Sequence, residues 1–162
     1  MRREFALPEE RPQIVMTEEV SAPIDKAWTV RFEPLYLAQW WRPNGYVNPI
    51  VEVDLVPGGR WRISQRDPEG NEFSFYGAFT AVDEPRVAVQ SFRTELFPTL
   101  ESTMTTEFTS HPRGTTIVTT HELPDANWLR GYLRLGALER MAESSEHYGH
   151  LLAHLRPRPS AS

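Results

Sequence analysis

The apolar residues of this chain change their spacing once, and that change constrains the fold more than any other feature. Over residues 51–121 they alternate with polar residues, which is the pattern of half-buried β-strands, and turns such as the Asp-Pro-Glu-Gly turn at residues 67–70 interrupt the alternation. After Pro124 the apolar and small residues recur every three or four positions, as on one face of an α-helix. The sequence therefore predicts an antiparallel meander followed by one long helix from about Asn127 to His154.

The segments before the meander predict one further strand and two short helices. Gln13–Val20 alternates like a strand, Ser21 is a candidate N-cap for a helix that ends near Phe32, and a second helix spans about Pro34–Trp40. Later strands are expected at residues 60–66, 72–82, 87–94, 100–109 and 115–121. The predicted fold class is α+β: a helix-grip architecture with a curved antiparallel sheet of about six or seven strands wrapped around a long C-terminal helix, and two short helices after the first strand.

Residues 13–155 are expected to form a single domain, because 162 residues suffice for one sizeable core. Residues 1–12 are polar and carry prolines, and are predicted to be a flexible N-terminal arm. The segment 156–162 begins with alternating arginine and proline, and is predicted to be a disordered tail.

The composition narrows the class of partner. A net charge of −5 argues against a nucleic-acid surface, which needs a basic excess. The absence of cysteine excludes disulfides and thiolate chemistry, and no stretch approaches the roughly 18 apolar residues of a membrane helix. We therefore expect a cytoplasmic protein with no nucleic-acid or membrane partner, and we predict no cofactor.

Three of the five tryptophans lie where the helices are expected to meet the sheet. Trp40 and Trp41 end the second short helix, and Trp61 enters a strand after the turn at Gly58-Gly59. So much aromatic area at one junction predicts either core or the wall of a cavity. We expect one of these tryptophans to lie in the core and at least one to line a cavity mouth.

Several short motifs occur in a characteristic order. They are Ser21-Ala22-Pro23, Gln39-Trp40-Trp41, Val53-Asp54-Leu55 before Pro57-Gly58-Gly59, Asp67-Pro68 with Gly70-Asn71, Gly77 with Phe79, and Thr120-His121-Glu122. In these motifs the chain resembles the SRPBCC (START/birch-allergen-like) superfamily, and within it the branch named for activators of the ATPase of the ninety-kilodalton heat-shock protein. The resemblance implies the helix-grip fold. It does not define a function, because lipid carriers, hormone receptors, polyketide cyclases and co-chaperone domains share that fold.

One face of the predicted sheet is apolar but carries a few polar residues, which need partners if they are buried. Opposite this face, the C-terminal helix presents small residues at 136–137 and 144–145, which leave room for a ligand. The sequence thus predicts a cavity between sheet and helix. Its predicted ligand-binding residues are Trp40, Trp61, Ile63, Gln65, Phe75, Phe79, Ser91, Met104, Thr119, His121, Met141 and Tyr148.

His121 is the candidate for catalysis, since a histidine in a cavity can act as a general acid or base. The alternative is a histidine held by structural hydrogen bonds. Glu143, His147, His150 and His154 share one helix face and are candidate metal ligands. For these four we favour a solvated face that complements the helix dipole, because zinc sites usually draw ligands from more than one element.

Three functions remain open from the sequence. The first is the binding of a small, mostly apolar or amphipathic ligand by a sensor or carrier. The second is a cyclase- or hydrolase-like enzyme that uses His121 in the same cavity. The third is a co-chaperone-like interaction, with a chaperone or with a second copy in a dimer, through an outer sheet face that carries Arg60, Arg62, Arg66, Gln90 and Glu107.

Overall fold

The computed structural model describes residues 1–155, which form eight strands and four helices. In chain order they are β1 (Arg2–Ala6), β2 (Gln13–Val20), α1 (Ile24–Phe32), α2 (Pro34–Trp40), β3 (Val47–Val53), β4 (Arg60–Arg66), β5 (Glu72–Asp83), β6 (Val87–Thr94), β7 (Ser102–His111), β8 (Gly114–Glu122), α3 (Ala126–Arg134) and α4 (Ala137–His154). The predicted tail 156–162 lies outside the described residues. None of the helices within residues 1–155 is long and apolar enough to cross a membrane.

All eight strands belong to one antiparallel sheet, in the order β1-β2-β8-β7-β6-β5-β4-β3. The connection from β2 to β3 runs through α1 and α2, because these strands lie near opposite edges of the sheet. Helix α4 packs against α1 and α2, and its buried Tyr148 and Leu152 join the same core as Trp28 of α1 and Phe108 of β7. This confirms the predicted α+β fold, an antiparallel sheet with a long C-terminal helix.

The first residues form a strand where the sequence predicted a flexible arm. Strand β1 pairs with β2 along Arg2–Ala6, which places Arg2 opposite Glu19. The Arg3 guanidinium also lies 2.9 Å from the carboxylate of Glu146 on α4. A segment with one short alternation carries too little signal to be recognised as a strand, and its edge pairing with β2 orders it.

The long C-terminal helix is divided in two. Gly136 separates α3 from α4 and has φ of +85°, a left-handed conformation that favours glycine. Helix α3 begins at the N-cap Asp125, whose side chain accepts a hydrogen bond from the Trp128 amide at 2.8 Å. The two helices can therefore take different directions, and α3 contains no buried residue.

Strand β6 faces the opposite way from the prediction. Ala88, Gln90, Phe92 and Thr94 point into the protein and are buried, whereas the predicted inward set of Val87, Val89 and Ser91 alternates with them and is only half-buried. The pairing of β5 with β6 shifts register between residues 79 and 81, as at a β-bulge. The extra residue lies in β5, whereas β6 itself alternates regularly. Its inward face was misassigned because Val87 and Val89 are more apolar than Ala88 and Gln90, although Gln90 lies opposite the inward-facing Met104 of β7. Gln90 is consequently not on the outer face.

Candidate functional site

A cavity of about 500 Å³ lies between the sheet, the end of α2 and helices α3 and α4. This volume falls within the roughly 300–1,000 Å³ of small-molecule sites. The apolar part of the wall is formed mainly by Phe32, Leu37, Trp40, Trp41, Val53, Trp61, Ile63, Phe73, Phe75, Phe79, Phe92, Leu96, Phe97, Met104, Leu135, Ala137 and Met141. The small residues Ala137, Ser144 and Ser145 of α4 are part of the lining, and their size leaves space between the helix and the sheet.

Most of the predicted site residues line this cavity: Trp40, Trp61, Ile63, Gln65, Phe75, Phe79, Met104, Thr119, His121 and Met141. Ser91 and Tyr148 do not. Ser91 lies on the other side of β6, where its Oγ accepts a hydrogen bond from the Ala78 amide at 2.9 Å. Tyr148 is fully buried behind the wall, and its hydroxyl donates to the Ala27 carbonyl at 2.6 Å.

The lining also contains residues that the sequence pattern did not indicate, among them Arg31, Arg42, Gln90, Tyr132 and Arg140. Gln90 was missed because β6 was assigned the wrong inward face. Tyr132 and Arg140 reach the cavity from α3 and from the first turn of α4, so their position depends on the break at Gly136. Arg31 was missed because a charged residue in a short helix is usually exposed.

The inner wall holds a buried ion pair between α1 and β2. Arg31 Nη1 lies 2.9 Å from Glu18 Oε1, and Arg31 Nη2 donates to Thr119 Oγ1 at 2.9 Å. The second carboxylate oxygen of Glu18 accepts a hydrogen bond from Ser145 of α4 at 2.6 Å. These contacts tie four elements together.

The Arg31 guanidinium also lies between two aromatic rings. Its Cζ is 4.7 Å from the ring centroid of Trp40 and 4.7 Å from that of Tyr148, which are cation–π distances. Burial raises the pKa of the Tyr148 hydroxyl, so this residue stays neutral and contributes no charge of its own. Because Glu18 balances Arg31, the inner wall carries no net charge despite its two ionic groups.

His121 lines the cavity with its ring between Phe92, at 4.9 Å between ring centroids, and Tyr132, at 5.3 Å. Its Nε2 lies 2.7 Å from Ser102 Oγ, and that hydroxyl donates to the Phe92 carbonyl at 3.1 Å. The single hydroxyl hydrogen is thereby used, so Nε2 carries the imidazole hydrogen and Nδ1 is left as an acceptor. Burial lowers the pKa of His121 to about 4, so the ring is neutral at pH 7.

Gln65 has a structural role at the other end of the cavity. Its Nε2 donates to the Trp41 carbonyl at 3.2 Å and to Asn48 Oδ1 at 3.0 Å. Asn48 in turn donates to the carbonyls of Ala38 and Trp41. This set of hydrogen bonds holds the end of α2 against β3 and β4, and so fixes the position of Trp41 in the wall.

Three polar groups on the sheet side of the cavity are available to a ligand. The Gln90 amide and the Thr106 hydroxyl line the cavity, and within residues 1–155 neither makes a side-chain hydrogen bond. The third group is Nδ1 of His121. Gln90 and His121 pair with Met104 from opposite sides, so the three polar groups lie close together on neighbouring strands of an otherwise apolar wall.

The histidines of α4 make contacts with one another and with the backbone. In the part of the chain that the structure describes, no group of three His, Asp or Glu side chains is arranged to hold a metal ion. The rings of His150 and His154 stack at 4.1 Å between centroids, and His154 Nδ1 lies 2.7 Å from the His150 carbonyl oxygen. Burial, followed by the nearby charge of Arg42, lowers the pKa of His147.

The sheet, the long helix and the cavity between them define a helix-grip protein of the SRPBCC superfamily. The model of the family described as Activator of Hsp90 ATPase homolog 1-like protein matches residues 21–155. The chain belongs to this family, which confirms the resemblance seen in the sequence motifs.

Solved structures share the fold along nearly the whole chain. Protein Ms6760 from Mycobacterium smegmatis is 26% identical, with a TM-score of 0.83 over 95% of this chain and 98% of that chain. A protein from Rhodobacter sphaeroides has a TM-score of 0.87 at 16% identity, over 95% and 100% of the two chains. The AHSA1-like protein from Aeromonas hydrophila has a TM-score of 0.68 at 21% identity, over 91% and 99%. No curated protein matches the chain.

Proposed function

We propose that the protein binds a small, mostly apolar molecule in the cavity between the sheet and α4, as a carrier or sensor. The observation that carries this proposal is the wall itself. Aromatic and aliphatic side chains surround about 500 Å³, and the Gln90 amide, the Thr106 hydroxyl and His121 Nδ1 are grouped on one side of it. A few convergent polar groups in an apolar cavity are typical of a ligand site that fixes orientation.

These polar groups also indicate which functional groups the buried part of the ligand would carry. His121 is neutral at pH 7, so it offers an acceptor rather than a charge. The Gln90 amide offers both a donor and an acceptor. A ligand with a hydroxyl or a carbonyl in its apolar body would satisfy the hydrogen-bonding capacity of these groups.

Native mass spectrometry of freshly purified protein and titration with the neutral fluorophore N-phenyl-1-naphthylamine test the proposal. We expect a bound small molecule or saturable binding of the fluorophore. Ser144→Phe should weaken that binding by about tenfold or more, because Ser144 lines the cavity and the larger ring fills it. Ala153→Phe, on the exposed face of the same helix, is the matched control and should bind as the wild type does. Failure of the wild-type protein to bind anything would overturn the proposal.

An enzymatic use of the cavity is the second candidate, and the acceptor nitrogen of His121 favours it. A neutral imidazole with a free Nδ1 can take a proton from a bound substrate. Turnover of a co-purified ligand by the wild type, and its loss in His121→Gln, would support an enzyme. Equal turnover in both proteins would exclude this role for His121.

Membership of the family favours a chaperone interaction as a third candidate. The outer sheet face carries the exposed arginines Arg60, Arg62 and Arg66 together with Glu107, and would be the contact surface. Stimulation of the chaperone ATPase by the wild type, reduced in Arg60→Glu, would support this function. No stimulation at any protein concentration would exclude it.

A further inference from the structure

The mouth of the cavity is positively charged. Arg42, just after α2, and Arg140, in the first turn of α4, both line it. No aspartate or glutamate of residues 1–155 is part of the lining. The third arginine of the wall, Arg31, is balanced by Glu18. The charges of Arg42 and Arg140 are therefore the ones that a ligand would meet.

Neither of these two arginines has a carboxylate partner within 4 Å among the described residues, although other arginines of the chain do. Arg42 donates to the carbonyls of Gln39 and Tyr46, and Arg140 donates to the Leu135 carbonyl. These bonds orient the guanidinium groups and, within residues 1–155, use only some of the N–H donors of each. The two positive charges are thus held in place without a direct ion pair.

The two arginines approach the cavity from neighbouring elements. The Asn44 amide donates to the Glu143 carboxylate of α4 at 2.7 Å, which holds the loop that contains Arg42 against α4 one turn from Arg140. Glu143 itself is outside the lining. An oxyanion at the mouth can thus be contacted by Arg42 from the end of α2 and by Arg140 from α4.

Tyr132 of α3 provides a neutral donor beside this charge. Its ring packs edge-on against His121, and within residues 1–155 its hydroxyl makes no hydrogen bond. Burial raises the pKa of Tyr132, and the positive charge of Arg140 offsets part of this effect. The hydroxyl keeps its proton at neutral pH and can donate it to an anion.

We propose that the ligand is an amphipathic oxyanion, a carboxylate or a phosphate monoester, whose apolar part fills the cavity while Arg42, Arg140 and Tyr132 bind its anionic group. This inference rests on the proposed binding function and names the chemical class of the ligand. Guanidinium groups bind carboxylate and phosphate oxygens through paired N–H donors, which a neutral alcohol cannot match. A cationic ligand would be repelled by Arg42 and Arg140, whose charges are the only ones without an ion-pair partner among the described lining residues.

The experiment compares three ligands with one chain length: dodecanoate, dodecyl phosphate and dodecanol. Their affinities are measured by displacement of N-phenyl-1-naphthylamine at low salt. We expect at least one of the anions to bind about tenfold or more tightly than dodecanol, and this preference to fall as salt is added. The tighter of the two anions identifies the headgroup.

Substitutions of the arginines test whether they cause the preference for anions. Arg140→Gln should remove most of the difference between the anion and dodecanol, whereas Arg140→Lys should keep part of it because the charge remains. Arg134→Gln removes the same charge from an exposed position outside the lining and should leave the preference unchanged. Thermal unfolding of each variant verifies that it is folded.

The outcomes separate the two proposals. If dodecanol binds as tightly as both anions, the oxyanion inference is wrong and the cavity still binds apolar ligands. An anion preference that survives unchanged in Arg140→Gln and in Arg42→Gln would also overturn the assignment of the headgroup site. If none of the three ligands displaces the fluorophore, and the fluorophore itself does not bind, both proposals fail together.

Discussion

Arg31 and Glu18 form an ion pair in the interior of the protein, 2.9 Å apart, with Glu18 fully buried and Arg31 only 5% exposed. Removing two charges from water costs several kcal/mol for each ion, and the pair recovers this only while its geometry and hydrogen bonds are complete. Thr119 and Ser145 supply those hydrogen bonds from β8 and α4. The pair therefore positions α1, β2, β8 and α4 relative to one another at the inner wall of the cavity.

Replacing one member of this pair should cost more than replacing both. Arg31→Met leaves the Glu18 carboxylate buried without a counter-ion, and we expect the free energy of unfolding to fall by about 3–5 kcal/mol. The double variant Glu18→Gln, Arg31→Met should be more stable than Arg31→Met alone. Urea unfolding measures the free energy of unfolding of the single and the double variant. Glu4→Gln, which breaks the exposed Arg2–Glu4 pair, is the control and should cost at most about 1 kcal/mol.

The burial of His121 should make stability depend on pH between about 4 and 6.5. The pKa of His121 in the folded protein is about 4, below its ordinary value of 6.5, so in this window the unfolded chain binds a proton that the folded protein does not. Stability is then complete above pH 6.5 and falls as the pH is lowered toward 4. Between pH 7 and pH 5 we expect a loss of about 2 kcal/mol from this residue.

Urea unfolding at the two pH values tests this dependence. In His121→Phe the loss of unfolding free energy between pH 7 and pH 5 should be smaller than in the wild type by about 2 kcal/mol. The exposed His150, replaced in His150→Gln, is the control and should leave the pH dependence as it is in the wild type. An unchanged pH dependence in His121→Phe would show that His121 is not buried in its neutral form.

Ser102 should be needed to keep His121 in one tautomer. Ser102→Ala removes the hydroxyl that accepts from His121 Nε2–H, and leaves a buried donor without its acceptor. We expect a loss of about 1–3 kcal/mol in the free energy of unfolding. Ser110→Ala, at an exposed position of the same strand, should have little effect. Nitrogen chemical shifts of His121 that show hydrogen on Nδ1 in the wild type would contradict the assignment.

Two glycines near the helix break should respond oppositely to alanine. Gly136 has a left-handed backbone, φ +85°, so Gly136→Ala should destabilise the protein by about 1–2 kcal/mol. Gly131 lies inside α3, and an added Cβ there would meet no atom within 4 Å. Gly131→Ala should therefore stabilise the helix, by about 0.5–1 kcal/mol. Thermal unfolding of the two variants checks the signs, and equal signs would contradict the boundary between α3 and α4.

The strands with one buried face could be predicted from the sequence, because burial of alternate residues is a local property. Trp61, Ile63 and Gln65 on β4 were expected to face inward, and all three are buried. Strand β6 was not predictable in this way, since both of its faces mix small, apolar and polar residues. There the inward set follows from tertiary pairing, which places Gln90 opposite Phe79 of β5 and Met104 of β7, and alternation within β6 does not encode that pairing.

The charged groups of the site depend on tertiary structure. Arg31 is buried because Glu18 lies beside it on another element, and no local pattern links a helix residue to a strand residue. Arg140 reaches the cavity only because the chain turns at Gly136, where the repeated apolar spacing suggested a continuous helix. The position of a polar side chain in a cavity wall thus depends on tertiary structure. A sequence pattern predicts that position only where the helix or strand that carries the side chain is regular.

The absence of buried residues in α3 has a consequence for how a ligand would enter and leave. No residue of α3 is fully buried, whereas Tyr148 and Leu152 of α4 are in the core, so α3 can open at a lower free energy than α4. Amide hydrogens of α3 should therefore exchange with solvent sooner than those of α4. Because Tyr132 belongs to the cavity wall on this side, local opening of α3 would widen the path by which a bound molecule enters and leaves.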